Sequence, residues 1–125
     1  MLPATILIVD DYPDALDAWR LYLRAEGFAV LTASDGDAAV CVATERRPDL
    51  IVLDLELPGK SGVEVAKVLR GQTSTCDIPL IAVTGHSDPR HLEGALHAGF
   101  NIVVTKPCEP AALMREIRRW LPRTT

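Results

Sequence analysis

The sequence lacks any apolar run approaching the roughly 18–20 residues that cross a bilayer, and its start, Met1-Leu2-Pro3-Ala4, has neither a basic n-region nor a signal-peptide core. A soluble, cytoplasmic protein with no membrane contact is expected. A basic surplus is missing too: thirteen Lys and Arg against seventeen Asp and Glu leave a net charge of −4 and a pI near 5.3. That balance argues against direct nucleic-acid binding. The cysteines, Cys41, Cys76 and Cys108, are odd in number and without C-x-x-C spacing, so a disulfide framework is not expected. His86, His91 and His97 are five and six residues apart, which denies them the i, i+4 spacing of paired helix ligands and leaves a zinc site without support. No repeat or low-complexity stretch occurs, and 48% hydrophobic with 24% charged residues excludes disorder. The 125 residues fit a single domain over 1–125, with Arg123-Thr124-Thr125 as its only obvious fraying segment.

What is present alternates. Five short apolar, β-branched runs predict strands: Thr5–Val9, Phe28–Thr32, Leu50–Leu53, Pro79–Val83 and Ile102–Thr105. Most are apolar throughout, as in strands covered on both faces. Between and after them lie helical stripes: Leu16, Trp19 and Leu23; Ala39, Val42 and Ala43; Val65, Ala66 and Leu69; Leu92, Ala95 and Leu96; Leu113, Ile117 and Leu121. Ser34 with Asp37, Ser87 before Pro89, and Pro110 supply helix starts, while Gly27, Gly71 and Gly99 stand where helices should stop. The pattern is (βα)5, which implies right-handed crossovers and a doubly wound, flavodoxin-like parallel sheet of order 2-1-3-4-5 with helices on both faces.

In such a sheet ligands bind beyond the carboxyl ends of the strands, where the strand order reverses. Asp10 and Asp11 follow the first strand, Asp54 the third, Thr84-Gly85 the fourth and Lys106-Pro107 the fifth. The order brings Asp10, Asp11 and Asp54 into one crevice. Each residue alone is more often a solvated turn, cap or strand-end charge; their coincidence at one sheet edge is what points to a site. Clustered carboxylates repel, and a hard divalent cation such as Mg2+ relieves the repulsion. A phosphoryl group arriving there would need its oxygens neutralised by Mg2+, the Lys106 ammonium and the Thr84 hydroxyl, with Asp54 as nucleophile. Asp10, Asp11, Asp54 and Lys106 together account for half of the net charge.

This set, with the flanking strings Pro48-Asp49-Leu50-Ile51-Val52-Leu53-Asp54 and Leu57-Pro58-Gly59-Lys60-Ser61-Gly62, resembles the receiver domain of two-component response regulators from Thr5 to about Leu121. The resemblance implies that Asp54 accepts a phosphoryl group from a phosphohistidine of a sensor histidine kinase or histidine phosphotransfer protein. It implies Mg2+ held directly by Asp11, Asp54 and the Glu56 backbone carbonyl, and by Asp10 through water. Thr84 and Lys106 would bind the phosphoryl oxygens, and the Lys106–Pro107 peptide would be cis. The chain would be a phosphoacceptor that catalyses its own phosphotransfer and dephosphorylation rather than an enzyme of small-molecule turnover. Its output would be protein docking or homodimerisation through the helix 4, strand 5, helix 5 face. Without a DNA-binding domain after Leu121, a stand-alone receiver or one cut from a longer chain is expected.

The sequence departs from the family pattern at Val103, where many receivers carry an aromatic switch residue; Phe100 is expected to be a structural plug instead. Output would then rely on Thr84 and the loop before helix 4. Glu56 and His86 occupy positions that, by the resemblance, line the path of the hydrolytic water and would set the lifetime of the phosphorylated state. Nothing in the sequence shows the lowered thiol pKa that an oxidation sensor at Cys108 would need. Arg115, Arg118, Arg119 and Arg123 give the last helix a basic outer face, more often solvated than docking. Ala98-Gly99-Phe100-Asn101 is similar to receivers of hybrid kinases and phosphorelays, which makes a relay module the chief alternative. An aspartyl-nucleophile, Mg2+-dependent phosphatase is a further one, disfavoured because Asp54-Leu55-Glu56 lacks the D-x-D pattern. A flavodoxin-like cofactor binder is disfavoured because Asp10-Asp11-Tyr12-Pro13 is acidic where a phosphate cradle is glycine-rich.

Overall fold

The computed structural model describes residues 3–122, in which five strands and five helices alternate. In order they are β1 (Thr5–Val9), α1 (Pro13–Ala25), β2 (Ala29–Ala33), α2 (Gly36–Arg46), β3 (Leu50–Asp54), α3 (Gly62–Arg70), β4 (Leu80–Thr84), α4 (Pro89–Ala98), β5 (Ile102–Thr105) and α5 (Pro110–Trp120). All pairings are parallel and the sheet order is β2-β1-β3-β4-β5, as the alternation predicts. Met1, Leu2 and the tail Arg123-Thr124-Thr125 lie outside the described residues.

The sheet's alternation sorts its side chains into two cores. Leu7, Val9, Ile51, Leu53 and Ala82 face α2, α3 and α4, meeting Ala39, Ala43, Val65, Ala66, Leu69 and Ala95. Ile6, Ile8, Leu50, Val52 and Ile81 face α1 and α5, meeting Leu23, Leu113, Met114 and Ile117. Each large side chain so buried contributes about 1.5–3 kcal/mol. β3 is buried along its whole length, Asp54 included, whereas the edge strands β2 and β5 are mostly half-buried. Asp54 follows Val52 by two residues, so it leans toward the α1 and α5 side of the sheet.

Several ends differ from the sequence reading. α2 is capped by Asp35, whose carboxylate accepts from the Ala38 N–H at 2.7 Å, and not by Ser34. α4 is capped by Asp88, which accepts from the Arg90 N–H at 3.0 Å, and not by Ser87. In the second case Pro89 opens the helix, which fixes the cap at the residue before it. β2 and β4 each start one residue later than predicted. Phe28 donates its N–H to Leu23 O (3.1 Å), closing α1 instead of joining the sheet, and Pro79 has no N–H to give, although its carbonyl accepts from Ile51 (3.0 Å). Leu96, placed in the buried stripe of α4, is 50% exposed; Ala95 and Ala98 form that stripe. Pro110 opens α5 as expected.

One side chain ties the α3–β4 and α4–β5 connections together. Arg70 Nε and Nη2 donate to Gly99 O (3.0 and 2.8 Å), Nη1 donates to Cys76 O and Ile78 O (2.7 Å each), and Nη2 also donates to Asn101 Oδ1 (3.1 Å). All five guanidinium N–H groups are therefore used. Asn101 Oδ1 accepts in addition from the Leu80 N–H at 2.8 Å, which links the cluster to the start of β4. Gly99, at φ +121°, could not carry a side chain there: a Cβ would stand 2.6 Å from Arg70 Cγ. Arg70→Ala is expected to lower unfolding free energy by about 2–4 kcal/mol, with Arg70→Lys recovering less than half. Urea denaturation checks this; a loss under about 0.5 kcal/mol, the level of an ordinary surface substitution, would contradict it.

Candidate functional site

The parallel sheet delivers its polar strand ends to one edge. Carboxylate oxygens of Asp10, Asp11 and Asp54 lie within 4.8 Å of one another. Asp54 is only 4% exposed, and both of its oxygens are engaged: Oδ2 accepts from Lys106 Nζ at 2.7 Å, and Oδ1 accepts from the Glu56 N–H at 2.9 Å. The latter bond sets the Glu56 backbone beside the carboxylates. Lys106 is placed by its own N–H, which donates to Thr84 O at 2.7 Å, and its peptide bond to Pro107 is cis, as the resemblance implied. Asp10 accepts from the Tyr12 N–H at 2.9 Å.

The electrostatics show a site short of positive charge. Burial pushes the Asp10 carboxyl above the ordinary Asp value; the charges of Asp54 and Asp11 push the same way, against the Tyr12 N–H and Lys106. Burial works against the Lys106 ammonium, yet its hydrogen bond to Asp54 and the charges of Asp54, Asp10 and Glu56 outweigh this and hold it above the ordinary lysine value. Three carboxylates facing one ammonium form an all-oxygen donor set with a net negative charge, which fits a hard cation such as Mg2+. A cavity of about 620 Å³ opens here, lined by these four groups and by apolar side chains that include Trp19, Val83 and Leu113. Cys108 also lines it; burial pushes its thiol pKa up, the reverse of what an oxidation sensor needs.

Thr84, wholly buried at the end of β4, faces a different set of partners. Its Oγ1 lies 2.9 and 3.1 Å from the two Glu56 carboxylate oxygens and 3.0 Å from His91 Nε2, and it accepts from the His86 N–H at 3.1 Å. The Gly85 N–H donates to Glu56 Oε1 at 2.8 Å. His86 enters through its backbone, while its ring stands edge-on to His91 at 5.1 Å between centroids. His91 went unassigned in the sequence, because only the packing of α4 beside β4 brings it to Thr84. Gly62 closes the Leu57-Pro58-Gly59-Lys60-Ser61-Gly62 string, but its steric role was not legible there. A Cβ there would lie 2.8 Å from Leu55 Cα and 2.9 Å from Asp54 O, so only glycine lets the start of α3 press against the site. Val103 is half-buried against the α3 and α4 side, and Phe100, 4% exposed, is the expected plug in that core. Arg115, Arg118 and Arg119 are exposed on α5, and Arg118 stands 5.6 Å over the Phe28 ring; Arg123 lies outside the described residues.

Asp10→Asn keeps an oxygen for the Tyr12 N–H and removes one of the crowded charges. In metal-free buffer it is expected to stabilise the fold by about 0.5–2 kcal/mol, read by thermal denaturation. Destabilisation in that buffer would contradict the charge crowding.

Comparison with known proteins agrees with this geometry. The sequence profile of the response regulator receiver domain matches residues 6–118. The chain is 36% identical over 118 residues to the DNA-binding response regulator MtrA of Mycolicibacterium smegmatis, covering 94% of this chain and 50% of that protein. It thus spans about half the length of that relative. Among solved structures it is similar to the receiver domain of a signal transduction histidine kinase from Syntrophus aciditrophicus, with TM-score 0.88, 33% identity and coverage of 98% and 95% of the two chains. It is also similar to the receiver domain of a sensor histidine kinase from Pseudomonas aeruginosa PAO1 with magnesium ion coordinated in the active site cleft, at TM-score 0.87, 33% identity, and 94% and 97% coverage. Buried Asp54 paired with Lys106 beside two further carboxylates is thus the polar edge of a response regulator receiver domain, the family to which this chain belongs.

Proposed function

We propose that the domain receives a phosphoryl group on Asp54 from the phosphohistidine of a sensor histidine kinase or histidine phosphotransfer protein. The observation that carries this reading is the pairing of a buried Asp54 carboxylate with Lys106 at 2.7 Å, next to two more carboxylates. An Asp54 oxygen attacks phosphorus; the new P–O bond forms as the P–N bond to the donor imidazole breaks, and the imidazole nitrogen keeps the electron pair. Asp11, Asp54, the Glu56 backbone carbonyl and, through water, Asp10 would hold Mg2+, which when bound neutralises charge on the phosphoryl oxygens. Lys106 neutralises a phosphoryl oxygen from the other side, and Thr84 supplies a hydroxyl proton to another. Captured phosphoryl then shifts the balance between two surface conformations, which a protein partner reads.

A second reading, a receiver module inside a hybrid kinase or phosphorelay, is favoured by the two neighbours described as receiver domains of histidine kinases, each at 33% identity. Both readings share the same chemistry at Asp54. The test is transfer of labelled phosphoryl from a panel of phosphorylated histidine kinases and from a low-molecular-weight acyl phosphate. Wild type with Mg2+ is expected to be labelled; Asp54→Asn with Mg2+ and wild type in excess EDTA are expected to stay unlabelled. Equal labelling of Asp54→Asn and wild type would contradict the assignment.

A further inference from the structure

Thr84 Oγ1 is surrounded by more partners than a hydroxyl serves without a fixed division of roles. A threonine hydroxyl has one hydrogen to donate and two lone pairs to offer. The His86 N–H, at 3.1 Å, occupies one lone pair. A carboxylate only accepts, so the single hydroxyl proton goes to Glu56, whose oxygens stand at 2.9 and 3.1 Å. His91 Nε2, at 3.0 Å, is left with the second lone pair and must donate. With both lone pairs taken by donors, the O–H bond has one direction left, toward Glu56. The carboxylate is itself anchored by the Gly85 N–H at 2.8 Å, so it is not free to follow Thr84 elsewhere.

We infer that Glu56 and His91 form a latch that holds the Thr84 hydroxyl proton on the Glu56 carboxylate, so that the proton reaches a phosphoryl group on Asp54 only by leaving Glu56. This rests on the reading of Asp54 as phosphoacceptor and adds its regulation. A phosphoryl oxygen offers no proton in exchange; it competes with Glu56 for the one that Thr84 carries. Glu56 thereby has two separable parts: its backbone belongs to the Asp54 side, where its N–H holds Oδ1 at 2.9 Å, and its side chain restrains Thr84. Both Glu56 and His91 are positioning residues, acting on the phosphoryl group through Thr84.

The test is a double-mutant cycle read by beryllium trifluoride binding at saturating Mg2+, from the 19F NMR signal of bound fluoride. Glu56→Ala is expected to bind this phosphoryl mimic roughly three- to tenfold more tightly than wild type, the worth of one competing hydrogen bond. In a Thr84→Val background the same Glu56→Ala change is expected to alter affinity by less than about twofold. A gain of equal size in both backgrounds would mean that Glu56 acts by its charge on the bound anion and would overturn the latch, leaving the phosphoacceptor reading intact. Absence of Mg2+-dependent binding to wild type would overturn both. The tautomer gives an independent check: 15N NMR of His91, assigned by His91→Ala, should show a proton on Nε2. A bare Nε2 with the proton on Nδ1 would overturn the latch.

Discussion

The pairing of Lys106 with Asp54 is the interaction on which the rest of the site depends. Asp54 ends a strand that is buried along its whole length, and a carboxylate in that position is costly unless a cation or several donors meet it. Lys106 reaches it at 2.7 Å only because β5 pairs with β4, β4 with β3, and the Lys106 N–H extends that ladder by one more bond to Thr84 O. Sheet order and strand register thus fix an ion pair whose members are 52 residues apart in the chain. One ammonium does not balance three carboxylates, and burial keeps the Asp10 carboxyl reluctant to ionise. The fold therefore gathers more carboxylates than ammonium groups at this edge, which favours the arrival of a hard cation.

Much of this was legible in the sequence, for physical reasons. Parallel strands covered on both faces are apolar throughout, so β1, β3 and β5 stand out against the amphipathic helices between them, and Asp10, Asp54, Thr84 and Lys106 are conspicuous as polar residues closing such runs. Contacts that depend on three-dimensional packing were not legible. Arg70 looks like any basic residue in a last helical turn, yet its guanidinium is spent on four acceptor groups from two connections. His91 has no linear signature because its partner lies across from α4 on β4. The caps at Asp35 and Asp88 were missed by one residue because a serine precedes each, and side-chain reach, not residue type, decides between such neighbours.

The two faces of the sheet divide the labour. On the α1 and α5 side, where Asp54 leans, a cavity gives access to the carboxylates and to Lys106. Thr84 and Glu56 stand next to this site but bond instead to the loop after β4 and to the first turn of α4. Under the proposed role of Asp54, whatever draws the Thr84 hydroxyl toward that residue must release Glu56 and His91, the latter on α4. Val103, half-buried in the core on the α3 and α4 side, offers no aromatic ring beside this hydrogen-bonded link, while Ala95 and Ala98 anchor α4 in that same core.

The central claim, that Asp54 is the residue modified, is tested most directly by locating the phosphoryl group. An aspartyl phosphate is an acyl phosphate, which borohydride reduces to homoserine, whereas phosphorylated Ser, Thr or His is not so converted. After phosphorylation in Mg2+ and borohydride treatment, peptide mass spectrometry is expected to find homoserine at position 54 and unmodified Asp10 and Asp11. Homoserine at either of those two positions, or phosphate retained on His86, His91 or Thr84 with Asp54 intact, would contradict it.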